Sequence, residues 1–270
     1  MFAVFRAELS KQFRRPRTFV ALGVMAAIPV IIAIVLKINP PSSPAGEGGG
    51  GLFFFGSLSS GLLLPVAALR LMSRFMLVIV VALFAGDAIA AEAGWGNLRA
   101  LLTRPVSRAR LLGAKLTLSV LLGFLAVVTV SVAGLIAGVI AFGWHPVSFS
   151  GIDQSQGALL GHLGLATLYI AWSLTTVVAL SFMVSTMSDA PAGAMLAGVG
   201  FYFVSQILDA IDSLGSVRYA LPTHYFDNWI SLFGHGWTSD MTRGVLLQVG
   251  YILLFCGIGF WWFRRKDILS

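Results

Sequence analysis

Four side chains between residues 224 and 240, His224, Asp227, His235 and Asp240, are of the types that hold zinc or copper. The longer outer segment that holds them, 209–243, also carries Tyr219, Tyr225, Phe226, Trp229, Phe233 and Trp237. Aromatic rings gather where a membrane meets water, and that is the plainer reading of the segment, so no metal is expected. Other chemistry lacks its motifs. The sequence holds no G-x-x-x-x-G-K-[ST], no H-E-x-x-H and no G-x-S-x-G. No catalytic residue and no bound cofactor are expected on this chain, which does not read as an enzyme.

A second stretch is denser in charge. "GDAIAAEAGWGNLRALLTRPVSRARLLGAKL" runs from Gly86 to Leu116 between two apolar stretches. Trp95, Leu98, Leu101 and Leu102 fall at helical spacing, with Arg99 and Arg104 beside that face. Pro105 ends such a helix, and Ser107 can cap the next one, which carries Arg108, Arg110 and Lys115. Glu92 stands before it, at the end of an apolar run, where it can pair with Arg99, with Arg104 or with a basic residue on a partner. A helix with an apolar ridge and basic edges fits a groove on a partner protein. It also fits a basic anchor lying on lipid headgroups. The residues alone leave both open.

The elements that must position these residues follow from composition. The chain has 270 residues, of which 57% are hydrophobic and 11% charged. Soluble domains carry about 25% charged residues, so the expected solvent is a bilayer. Six stretches are long and apolar enough to span it: Thr18–Ile38, Phe75–Ala91, Leu116–Phe142, Ala158–Val184, Ala190–Leu208 and Gly244–Phe263. The expected fold is an all-α, six-span protein in a single membrane domain. A net charge of +7 would also suit nucleic acid. However, thirteen of the eighteen basic residues form three clusters, at Arg6–Arg17, Arg99–Lys115 and Arg264–Lys266. Six spans put all three on one side, which the positive-inside bias makes the cytoplasm, together with both termini. Nucleic acid is not an expected partner; membrane lipid is. Leu52–Leu69, apolar but broken by Gly56, Gly61 and Pro65, reads as a re-entrant or interfacial helix on the outer side.

Smaller patterns add detail. Phe2, Phe5, Leu9 and Phe13 share one helix face, with Arg6, Glu8, Lys11 and Arg14 off it. This predicts an amphipathic helix in the inner interface. Tyr225, Phe226, Trp229 and Phe233 predict an interfacial helix that lids the outer end. Gly134 and Gly138 form G-x-x-x-G, which permits close helix contact. Asp87 lies near the cytoplasmic end of its span, and the third, fourth and sixth spans hold no Asp, Glu, Lys or Arg inside the stated bounds. An ion-coupled carrier would need a mid-depth carboxylate or a broken helix.

The stretch from Gly86 to Arg108 resembles the signature of the type-2 (export) family of ABC transporter permeases. The matching residues are Glu92, Gly96, Leu98, Leu101, Leu102, Pro105, Ser107 and Arg108; Asn97 stands where that family has Thr. "FRRKDI" at 263–268 is similar to its ending. The resemblance implies a coupling helix, here Glu92, Trp95, Gly96, Leu98, Arg99, Leu101, Leu102, Arg104, Pro105 and Arg108, that meets a separate cytoplasmic ATPase subunit holding ATP and Mg. It implies a second permease unit, identical or related, and a place in the cell membrane. The low intramembrane charge points to an apolar or amphipathic exported substrate. The competing expectations are an accessory or assembly membrane protein without transport, and an ion-coupled carrier.

Overall fold

The computed structural model describes residues 2–40, 54, 56–94, 107–149 and 152–265. Helix α1 is Phe2–Phe13 and α2 is Pro16–Ile38. A 3-10 turn, Gly61–Leu63, leads into α3, Leu64–Met72. Then follow α4 (Met76–Gly94), α5 (Arg108–Phe142), α6 (Gln156–Met187), α7 (Pro191–Asp209) and α8 (Ser239–Arg265). Strands β1 (Val147–Phe149) and β2 (Ile152–Gln154) make a small antiparallel ribbon between α5 and α6. Two 3-10 stretches, Asp212–Ala220 and Phe226–Phe233, connect α7 to α8.

Among the described residues, six helices are long and apolar enough to cross a membrane: α2 and α4 to α8. Helices suit this solvent because lipid offers the backbone no hydrogen bonds. The six correspond to the six expected spans. The boundaries differ most at α5, which starts at Arg108 rather than Leu116. Ser107 is its N-cap in extended conformation, but through the backbone: the Arg110 N–H donates to Ser107 O at 3.0 Å and the Ser107 side chain caps nothing.

The core forms around α4 and α6. The most apolar stretch of α4 is 78% buried and that of α6 67%, against 22% for each of α2, α7 and α8. A helix apolar all round belongs inside a bundle, and α4 is such a helix. The outer three present Phe19, Ile31, Leu196, Ile207, Leu246 and Leu253 outward, apolar faces suited to lipid.

Helix α3 is too short to span. Of the two expectations for Leu52–Leu69, its described part fits re-entry rather than a surface position: Leu62, Leu63, Leu64, Val66, Ala67, Ala68 and Leu69 are all buried. The G-x-x-x-G pair makes this seat. A Cβ on Gly138 would fall on the carbonyl oxygen of Gly61, and one on Gly134 would lie 2.8 Å from Pro65 Cα. The close contact therefore packs α3 on α5 within the chain. Gly143, at φ 81°, ends α5 in the left-handed region that glycine favours. Its carbonyl accepts the Gly61 N–H at 3.1 Å, and Ser60 Oγ donates to His145 O at 2.7 Å.

Candidate functional site

The loop between α4 and α5 carries Trp95, Gly96, Leu98, Arg99, Leu101, Leu102, Arg104 and Pro105, which lie outside the described residues, as does the predicted coupling helix. Its two flanks are described, and they meet. Glu92 on the last turns of α4 is buried, and so is Lys115 on α5. Lys115 Nζ lies 2.7 Å from Glu92 Oε2. It also reaches Glu8 Oε2 at 3.3 Å and donates to Ala88 O at 2.9 Å. An ammonium has three donors, and these three acceptors match them. Lys11 of α1 pairs with the other Glu92 oxygen. The result is an alternating chain, Glu8–Lys115–Glu92–Lys11, drawn from α1, α4 and α5. Beside it Arg17 of α2 pairs with Asp87 of α4. Burial, and then the like charge of Arg17, lower the Arg15 guanidinium from its ordinary value, though a guanidinium stays cationic at neutral pH. Arg108 Nη1 donates to Arg264 O at 3.5 Å, which brings the start of α5 and the end of α8 to this same basic end.

Among the described residues Glu92 pairs with Lys11 and Lys115, and Arg99 and Arg104 lie outside them. Two sequence expectations change here. Lys115 is not a loop residue ahead of a span but a buried one inside it. Helix α1 exists as expected, but Phe5 and Leu9 pack against the core while Glu8 and Gln12 are buried beside them. Glu8 therefore lies on the inward face rather than off it, because the Lys115 ammonium needs a second carboxylate. Phe13 is exposed and meets Phe19 edge-on at 6.2 Å. The Phe2 side chain is outside the described set.

Above the ionic chain, α6 reaches into α4. Ser185 Oγ is fully buried, donates to Gly86 O at 2.7 Å and accepts from Ala90 N at 2.9 Å and Ile89 N at 3.1 Å. Gly86 O and Ala90 N are the pair an undisturbed helix would join. A hydroxyl lodged between them is a recognised cause of helix bending. Gly86 also sits against α7, where a Cβ would come 2.8 Å from Met195 N.

At the opposite end the aromatic residues do not lie on the surface. Tyr225, Phe226, Trp229 and Phe233 are all buried, Trp229 completely, and they close the bundle as a plug tucked inside it. Tyr169 of α6 donates to Tyr225 O at 2.7 Å. Three of the four candidate metal ligands are spoken for separately. His224 Nδ1 contacts Asp209 Oδ1 at 2.6 Å, and Asp227 takes Arg70 at 2.7 Å and Arg74 through Nε at 3.1 Å. Asp240 pairs with Arg243 at 3.1 Å. Among the described residues no three metal-ligating side chains come together. Burial, and then the charge of Arg70, lower the Arg74 guanidinium from its ordinary value.

Six apolar helices, with α4 and α6 at their centre, define an all-α, multi-pass membrane protein. Residues 53–269 match the family described as "Protein of unknown function (DUF2705)", and the chain belongs to that family. No curated protein matches it.

Proposed function

We propose that the chain is the permease subunit of an ATP-driven ABC transporter, resident in the cell membrane with its basic end in the cytoplasm. It would pair with a second permease unit and with separate ATPase subunits. The observation that carries this reading is the paired base of α4 and α5. The loop 95–106, which resembles the family's coupling segment, is strung between two helices locked by Glu92 and Lys115. A push on that loop reaches α1 through Glu8 and Lys11 and reaches α4 below the point where Ser185 bonds to its backbone. That is a route by which a partner's ATP cycle would tilt the spans.

The carrier alternative loses support. Asp87 and Glu92 are buried, but they sit toward the basic end of α4 and are already paired with cations. An apolar or amphipathic substrate would suit an open groove of about 450 Å³ between α2 and α5, lined by Val30, Ile34, Ile136 and Ile140 and by Lys37.

The test is purification of the tagged chain from its own membranes. The wild type should retain an ATP-binding-cassette subunit, and Leu98→Asp should release it. Arg99→Ala should weaken retention mildly, since an exposed pair is worth only about 0–1 kcal/mol. Glu92→Gln should keep the complex but uncouple ATP hydrolysis from substrate. A Leu98→Asp chain with full complex and full activity would sink the coupling assignment.

A further inference from the structure

The surface that α2 and α5 turn to lipid is not flat. Between Ala26 and Lys37 on α2, and Ala133 and Ala141 on α5, it opens into the groove of about 450 Å³. Its floor is made of small residues, with Ala33 and Ala137 buried, while Ile34 and Ile140 stand beside them as exposed walls. Helix geometry sets its depth. Arg17 pairs at the ionic end of α2 and Lys37 lies in its last turn. The two are about 30 Å apart along a helix, the thickness of the hydrocarbon core. Ala26 to Lys37 covers roughly 16 Å of that length. The groove therefore runs from near the middle of the bilayer to the interface away from the ionic chain, the depth of one leaflet. Trp144, exposed just past the end of α5, marks the headgroup level at the same end.

Charge and width select the occupant. Lys37 is the one charged side chain on the lining. It is exposed, and no carboxylate among the described residues pairs with it. A neutral apolar molecule would leave that ammonium to water. Spread over the length of the groove, its volume leaves a slot narrower than a helix with its side chains, which is about 10–12 Å across. An apolar slot one leaflet deep, with a cation at its interfacial mouth, is complementary to a hydrocarbon chain that ends in an anion.

We propose that this groove holds an anionic phospholipid of the leaflet away from the ionic chain, with one acyl chain along Ala33 and Ala137 and its phosphate at the Lys37 ammonium. This deepens the transport reading, on which only the export of such a lipid rests. Binding to the chain alone needs no ATPase, so the two can fail separately.

The experiment offers the full chain in detergent equal amounts of dioleoylphosphatidylglycerol and dioleoylphosphatidylcholine, and counts bound lipid by native mass spectrometry. Phosphatidylglycerol should be retained in preference to phosphatidylcholine. Lys37→Gln should lower that preference about fivefold, and Lys37→Arg should keep it. Ala133→Phe, which fills the deep end of the slot, should reduce the binding of both lipids. Arg243→Gln, which removes an exposed basic residue of α8 at the same end of the bundle, should leave the preference unchanged. Equal retention of the two lipids, equal losses in Lys37→Gln and Arg243→Gln, or full binding in Ala133→Phe overturns the proposal. So does a dimer that forms as lipid leaves, which would give the groove to a second copy of the chain.

Discussion

Lys115 Nζ and Glu92 Oε2 stand 2.7 Å apart, on different helices, with both side chains buried. Removing one partner of such a pair strands a charge in a place water does not reach, at a cost of about 3–5 kcal/mol. Lys115→Met should therefore destabilise the chain by about that much in detergent unfolding. Lys115→Met with Glu92→Gln should be less destabilised than the sum of the two single changes. Strict additivity in that double-mutant cycle would show that the two groups do not interact.

The seam between α3 and α5 predicts two opposite effects of one substitution. At Gly138 an added methyl falls on the Gly61 carbonyl, whereas at Gly164 in α6 nothing lies within 4 Å. Gly138→Ala should lower the melting temperature clearly. Gly164→Ala should leave it level or raise it, because a helix interior prefers Ala to Gly by about 0.5–1 kcal/mol. Matching melting temperatures for the two variants would contradict the close seam.

Plug and surface belt differ in what a truncation costs. Trp229 is wholly buried, while Trp237 is 52% exposed. Trp229→Ala should cost about 3–5 kcal/mol by opening a cavity, and Trp237→Ala far less. If the two cost the same in chemical unfolding, the aromatic segment lies on the surface.

The basic clusters predict sidedness. Single cysteines at Ser43 and Ser270, in a Cys256→Ala background, should label oppositely with an impermeant thiol reagent applied to intact cells. Ser43 should react and Ser270 should not. Labelling of both from outside would remove the six-span arrangement.

Much of the architecture was legible because lipid imposes long apolar runs, and these mark the spans almost unaided. Gly134 and Gly138 were legible for a similar reason: their spacing is local, and small residues one turn apart mean close approach. The ionic chain was not. Hydropathy begins α5 at Leu116, yet the helix continues back through Lys115 to Arg108, so a buried cation reads as a loop residue. Glu8 was misplaced because Phe5, Leu9 and Phe13 share one face by helical period. Its partner lies 107 residues away, and no local pattern carries that information. The aromatic plug reads as a surface belt because rings at an interface and rings inside a bundle have the same composition.

The separation along the chain between α1 and its partners also sets an order of assembly. Glu8 and Lys11 are translated 107 and 81 residues ahead of Lys115 and Glu92. At about 5–20 residues per second, a ribosome needs roughly 5–20 s to close the longer gap. Until then Glu8 lacks the buried ammonium it meets in the folded bundle, and without it the carboxylate stays in water or among headgroups. Helix α1 therefore leaves the ribosome early and seats late. Its protection from protease during synthesis should lag behind the emergence of α5, so that the docked N-terminal helix marks a bundle whose second and third spans are already in place.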